Sequence, residues 1–260
     1  MTASRDSGGP QGRPSSHGLP PLTEALTSLL RTLVVALFIL TFLLQPFLIP
    51  SESMERTLLV GDFLLVNKQT FAPAGSAANP GRWLLPHRPV ERGDIVVFHH
   101  SMPDYLIKRV VGLPGDRIRL DGQQVIVNGV SLQEPYAVFE PAPENQFRDN
   151  FPSKMYTDPN VDPTWWLALQ HLTQNGDLVV PPDQFFVLGD NRNHSKDSRY
   201  WGLVPRDAIM ARPIVIYFSL RRPSATDAAD GENDRLGHGT GLVARLTAFA
   251  RWERIFQTVH

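Results

Sequence analysis

The chain has 260 residues, a formal net charge of −1, 42% hydrophobic and 20% charged residues, and no cysteine. That balance argues against a nucleic-acid binder, which normally carries a basic surplus. It excludes a disulfide scaffold, a thiol nucleophile and any metal site built on thiolates. The 23 prolines and 19 glycines favour many turns and short strands over a helical bundle.

Residues 1–22, rich in Gly, Pro and Ser, read as a disordered N-terminus. Residues 23–48 follow as one predicted helix. From Thr32 to Pro50 the sequence TLVVALFILTFLLQPFLIP carries no charge, and a bilayer core takes about 20 such residues. A buried core helix is disfavoured by the all-round apolar face. A cleavable leader is disfavoured because Gln45-Pro46 and Ile49-Pro50 stand where a small-x-small site belongs. The expectation is an uncleaved single-pass transmembrane anchor. Arg5, Arg13 and Arg31 outnumber Asp6 and Glu24, which places the N-terminus in the cytoplasm and residues beyond 49 on the extracytoplasmic side.

Residues 49–220 are predicted to be one mainly β domain. Asp62–Asn67 reads as a strand. Residues 69–90 read as a Pro/Gly/Ala-rich loop, either packed or lying on the membrane through Phe71, Trp83 and Leu84. Strands follow at 95–100, Tyr105–Val111, Ile118–Leu120 and Val125–Val127. The Asp121-Gly122 and Asn128-Gly129 pairs mark hairpins. Residues 135–183 read as an inserted loop-rich subdomain with a short helix at Trp165–Leu172. Phe185–Leu188 and Ile214–Leu220 complete the strands. No βαβ alternation is visible, which argues against a doubly wound enzyme. Residues 221–260 are expected to be a flexible tail, with Leu242–Val259 either an amphipathic surface helix or solvated.

Three segments carry groups capable of chemistry. Ser51 and Ser53 follow the apolar stretch directly; read alone, such serines cap a turn. Lys108 lies in the strand YLIKRVV, where alternation puts it on one face with Leu106 and Val110. A lysine there is either snorkelling at a sheet edge or a desolvated base. A serine hydroxyl needs an adjacent base to act as a nucleophile. A free lysine amine, with a pKa of about 10.4, is almost entirely protonated near neutrality. Apolar surroundings lower that value. The third segment, Gly189–Gly202, is a polar loop between apolar strands, in which Asp197 and Arg199 can pair.

Taken in order, Ser51-Glu52-Ser53-Met54, Gly61-Asp62, Arg92-Gly93-Asp94, Ile107-Lys108-Arg109-Val110-Val111-Gly112-Leu113-Pro114-Gly115-Asp116, Gly189-Asp190-Asn191-Arg192 and Ser195-x-Asp197-Ser198-Arg199-Tyr200-Trp201-Gly202 resemble the successive boxes of bacterial type I signal peptidases. The resemblance covers about residues 25–220. It implies a signal-peptidase-like β-barrel or sandwich, a membrane-anchored serine endopeptidase, and signal peptides of exported preproteins as substrates. By position it implies Ser53 as nucleophile and Lys108 as general base. Ser51 joins the Ser53 N–H at the oxyanion, Ser195 orients the lysine, Asp197 and Arg199 form a structural ion pair, and Met54 lines the substrate pocket. No metal or organic cofactor, no nucleic acid and no obligatory assembly are implied; the expected state is a monomer. The chain departs from the pattern at Arg56, where proline is common, and at Asn193-His194. Three other readings fit less well. A Ser/His/Asp triad lacks a histidine in a suitable context. A self-cleaving repressor would carry a soluble regulatory N-terminus. A catalytically inactive peptide-binding β-domain would have no reason to keep both Ser53 and Lys108.

Overall fold

The structure is a computed structural model. It describes residues 22–39, 43–68, 70–71, 88–101, 104–153, 155, 157–221 and 249–260. The chain divides into two units, residues 1–39 and 40–260. In the first, helix α1 spans Leu22–Phe38 and buries none of its residues. At 1.5 Å per residue its 17 residues are about 26 Å long. Among the described residues no helix is long and apolar enough to cross a membrane.

The residues expected to complete that helix do something else. Leu44–Leu48 forms strand β1, paired antiparallel with β2, Asp62–Asn67. Pro46 supplies the reason, because it has no N–H for a helical bond and pushes Gln45 toward an extended conformation. It is tolerated because β1 is an edge strand of its sheet.

The remaining elements are β3 (Ile95–Ser101), β4 (Asp104–Gly112), β5 (Arg117–Asp121), β6 (Gln124–Val127), β7 (Val130–Ser131), α2 (Gln146–Asp149), α3 (Pro163–Leu172), β8 (Thr173–Gln174), β9 (Asp177–Val179), β10 (Gln184–Leu188), α4 (Ser198–Trp201), β11 (Val204–Pro205) and β12 (Ile209–Ser219). The fold is mainly β. A seven-stranded sheet runs β1-β2-β12-β3-β4-β10-β11, and a five-stranded sheet runs β7-β6-β5-β9-β8. Strand β12 links the halves of the larger sheet. Its N-terminal part pairs with β3 and the rest with β2, with register shifts at Pro213/Val215 and Ile216/Phe218. Such shifts bend a strand and raise its twist, and one of them accommodates Pro213, which cannot donate to a ladder.

Strand β2 shows how pattern becomes packing. Its residues alternate buried and half-buried, with Leu64 and Val66 fully buried. They join Ile49, Met54, Ile95 and Ile216 in one core beneath the strand that carries Lys108. A second core, with Phe147, Phe151, Trp165 and Phe186, lies under the smaller sheet. That sheet begins at Arg117, ahead of residues 135–183, and the annexe built on it contains both hairpins. Asn128 and Gly129 have φ of 53° and 81°, the paired positive values of a two-residue hairpin turn. Phe71 is buried among Val96, Phe98 and Val110, not exposed to lipid; Trp83 and Leu84 lie outside the described residues, as do most of residues 1–22.

The C-terminus departs most from expectation. Residues 249–260 contain no α-helix, only a short 3₁₀ turn at Trp252–Arg254, and they bridge back to β12 at Val215–Thr258 and just beyond its end at Leu220–Ala250. The arginines turn inward. Arg254 Nη2 donates to the fully buried Asp62 carboxylate at 2.6 Å, Arg251 Nη2 lies 3.6 Å from it, and Ser219 Oγ donates to it at 2.6 Å. Removing one partner of a buried ion pair typically costs about 3–5 kcal/mol, reduced here because Arg251 and Ser219 remain. Arg254→Ala is therefore expected to lower unfolding stability by about 2 kcal/mol in urea titrations, whereas Arg221→Ala, at the exposed edge, stays within about 0.5 kcal/mol.

Candidate active site

Ser53 lies in a 3₁₀ turn, Glu52–Met54, that begins as the chain leaves β1, with Ser51 as its cap in extended conformation. As the second residue of that turn, Ser53 has an N–H with no carbonyl inside the turn to receive it. The turn is tied down from both sides. Leu58 N donates to Met54 O at 2.8 Å, and Asn191 N donates to Ser53 O at 3.1 Å. Met54 is buried in the core, which fixes the neighbouring serine.

Lys108 stands in the middle of β4, where Lys108 through Val111 are all buried. Its backbone is registered opposite Val96 of β3. Lys108 Nζ lies 2.5 Å from Ser53 Oγ, 55 residues away in sequence. Only 3% of the lysine is exposed. Burial disfavours its ammonium and lowers the pKa from 10.5 to about 8, against the opposing pull of Asp197 and Asp190. Ser51 Oγ is 3.4 Å from Ser53 Oγ and exposed.

Behind the pair lies a set of buried ion pairs. Asp197 receives Arg199 Nε and Nη2, each at 2.8 Å, and Gly189 N at 3.1 Å. Burial alone would push the Asp197 carboxyl up; the Arg199 charge and these hydrogen bonds outweigh it and hold it below the usual carboxylate range. Next to Lys108 in the chain, Arg109 grips Asp190 with two bonds of 2.8 Å, and Thr57 Oγ1 donates to the same carboxylate at 2.6 Å. The Arg109 guanidinium also stacks 3.9 Å from the Tyr136 ring centre and reaches the carbonyl of His260 at 3.2 Å. A third pair joins Arg192 to Glu134. Asp190, Arg109, Thr57 and Glu134 are not recognisable as partners from the sequence. Gly-Asp-Asn-Arg and Lys-Arg were visible, but nothing in their spacing reveals which charge meets which.

The structure brings Ser51, Ser53, Met54 and Lys108 to the wall of one cleft, and Ser195 with Ser51 and Ser53 to another. Ser195 does not make the hydrogen bond to Lys108 that the resemblance implies. Its Oγ is buried with no partner, packed against Gly189, where any Cβ would overlap Ser195 and the Ser53 carbonyl. The lysine's close partner is Ser53 instead. At the departures from the family pattern, Arg56 has φ of 76°, a value closed to proline, and Asn193 Nδ2 donates to Glu140 O at 2.8 Å. Among the described residues no group of acidic, histidine or cysteine side chains is placed to hold a metal ion.

The arrangement costs stability. With a folded value of about 8 against an ordinary 10.5, a protonated Lys108 burdens the folded state by about 3 kcal/mol below pH 8. Between about pH 8 and 10.5 the unfolded chain binds more protons than the folded one, so stability rises with pH there. Lys108→Met is thus expected to be more stable than the parent at pH 7, by about 2–3 kcal/mol in urea unfolding, with the gain shrinking above pH 8. No gain at pH 7 contradicts the burial argument.

The family model described as "Signal peptidase, peptidase S26" matches residues 22–218. A signal peptidase I of Leptolyngbya laminosa is 34% identical over 237 residues, covering 85% of this chain and 95% of the relative. Signal peptidase I of Haemophilus influenzae is 31% identical, covering 78% and 72%. That of Aquifex aeolicus is 31% identical, covering 79% and 88%.

Proposed function

Since the chain belongs to the signal peptidase family S26 and is a serine endopeptidase that cleaves signal peptides, we propose that Ser53 is its nucleophile and Lys108 its general base. The reading rests on one observation, the 2.5 Å contact between a buried amine and the Ser53 hydroxyl. With a pKa of about 8, roughly one lysine in ten is neutral at pH 7, compared with fewer than one in a thousand for a free side chain. The neutral amine takes the Ser53 proton as Oγ attacks the carbonyl carbon of the last signal-sequence residue. The same ammonium then protonates the leaving amine, and the regenerated amine activates water for deacylation. The oxyanion is met by the orphan Ser53 N–H and the Ser51 hydroxyl. One such donor is worth about 3–4 kcal/mol of transition-state stabilisation.

Substrate geometry follows from free strand edges. Among the described residues strand β1 pairs with β2 alone, and β10 reaches β4 from Arg109 onward. An extended peptide laid between β1 and the first half of β4 adds a strand there and sends alternate side chains inward. The cleft at that place, of about 290 Å³, is lined by Phe47, Ile49, Met54 and Ile107, which suits small apolar residues such as alanine. Met54 shapes its floor, and Ser195, Asp197 and Arg199 brace the wall behind the lysine. We read the chain as a monomer anchored in the plasma membrane by its N-terminal apolar segment, with residues 49–220 extracytoplasmic. In support, α1 leaves Leu26, Leu29, Leu30, Leu33, Val34 and Leu37 more than half exposed, a surface that water does not favour.

Cleavage of a preprotein by the purified chain is expected to vanish in Ser53→Ala and in Lys108→Ala, each losing at least about 10³-fold in kcat, while both stay folded. For the parent, kcat/KM is expected to rise with pH through an apparent pKa near 8, because only the neutral amine is a base. Full activity in Lys108→Ala, or a profile flat from pH 6 to 9, contradicts the assignment.

A further inference from the structure

Two clefts meet at Ser53, and their linings differ in kind. The smaller, between β1 and β4, is apolar. The larger, of about 550 Å³, runs away across the annexe and is lined by Glu52, Glu144, Asp158, Asn193, His194 and Lys196. Both include Ser51 and Ser53. A polypeptide whose carbonyl carbon rests on Ser53 Oγ must leave along the protein in both directions. An extended chain advances about 3.3 Å per residue, so three or four residues on each side lie within these clefts. The apolar one suits the residues before the cut, which leaves the polar one for those after it.

We infer that the polar cleft is the binding subsite for the first residues of the mature chain, and that it selects basic over acidic side chains there. The inference rests on the peptidase reading above.

The selectivity comes from which charges are already satisfied. Of the cations in the lining, Arg148 holds Asp149 at 2.7 and 3.0 Å, and Lys196, whose Nζ donates to Asn160 at 3.0 Å, has the Asp158 carboxylate near enough to feel its charge. Asp158 receives Asn145 and Asn160. The Glu52 and Glu144 carboxylates are exposed, and among the described residues no hydrogen bond or ion pair engages them. More negative charge stands nearby at Glu55 and Glu140, for the Glu55 carboxyl is pushed up by burial and then by Glu140 and Glu52, against a smaller opposing pull from His194 and Arg251. A lysine or arginine two or three residues after the cut finds free carboxylates, and an acidic residue meets repulsion. Each solvated pair is worth a factor of about 1.5 to 5.

The test uses the purified full-length chain and three peptides identical through the signal side and the first residue after the cut. Their second and third residues after it are Lys-Lys, Gln-Gln or Glu-Glu. The expected kcat/KM falls in that order, with Lys-Lys about 5-fold above Glu-Glu in low salt and the gap narrowing in about 0.5 M salt as screening shortens. In Glu144→Lys the ratio of Lys-Lys to Glu-Glu is expected to drop to one or below, and in Glu144→Gln to fall between. Equal kcat/KM for all three peptides, or a ratio unchanged in both variants, overturns the subsite while leaving Ser53-dependent cleavage intact. Absence of Ser53-dependent cleavage of every peptide overturns the peptidase reading and this inference with it.

Discussion

An amine held out of water against a hydroxyl is the constraint on which the rest of the structure depends. Lys108 has to lose its solvent without acquiring a carboxylate of its own, because a direct ion pair stabilises the ammonium and removes the base. Asp190 and Asp197 both lie close enough to oppose the lowering of its pKa. Each is occupied by its own arginine, Arg109 and Arg199. The ion pairs behind the site thus do two jobs: they hold the Gly189–Gly202 loop in place, and they keep two negative charges from capturing the lysine.

Placement of the two reacting groups comes from different parts of the fold. Lys108 is set by β4, which pairs with β3 from Asp104 to Arg109 and with β10 from Arg109 to Gly112. Ser53 is set by a short turn between β1 and β2, anchored by buried Met54 below and by the Asn191 N–H at its carbonyl. Gly189 at the end of β10 allows the third segment to approach both, since no side chain fits between it and Ser53. The C-terminal residues close the back of this arrangement. Arg254 donates to the carbonyl of Thr57 at 3.0 Å, and Thr57 in turn holds Asp190, so the last twelve residues reach the site through two hydrogen bonds.

Much of this was legible in the sequence. Hairpin signals at Asp121-Gly122 and Asn128-Gly129, and alternation in Asp62–Asn67, gave strands where the structure has them, because half-buried strands write their faces into the pattern. The positions of Ser53 and Lys108 followed from the family boxes. Other features left no local trace. Leu44–Leu48 sits in an uncharged, largely apolar run, where helix and strand cannot be told apart by periodicity; Gln45-Pro46 alone hinted at the break. Arg251 and Arg254 have the spacing of a solvated face, and their partner Asp62 lies about 190 residues earlier. The rotamer of Ser195, which turns its hydroxyl toward Gly189, is decided by packing that no linear pattern records.

The central claim, that the Lys108 amine is neutral over a large part of its population near pH 8, is tested most directly by NMR titration of lysine labelled with ¹³C at Cε, assigned through Lys108→Met. The resonance lost in that variant should titrate near pH 8, well below the value of about 10.4 of a free lysine side chain. A Lys108 resonance that titrates near the free-lysine value of about 10.4 contradicts the account.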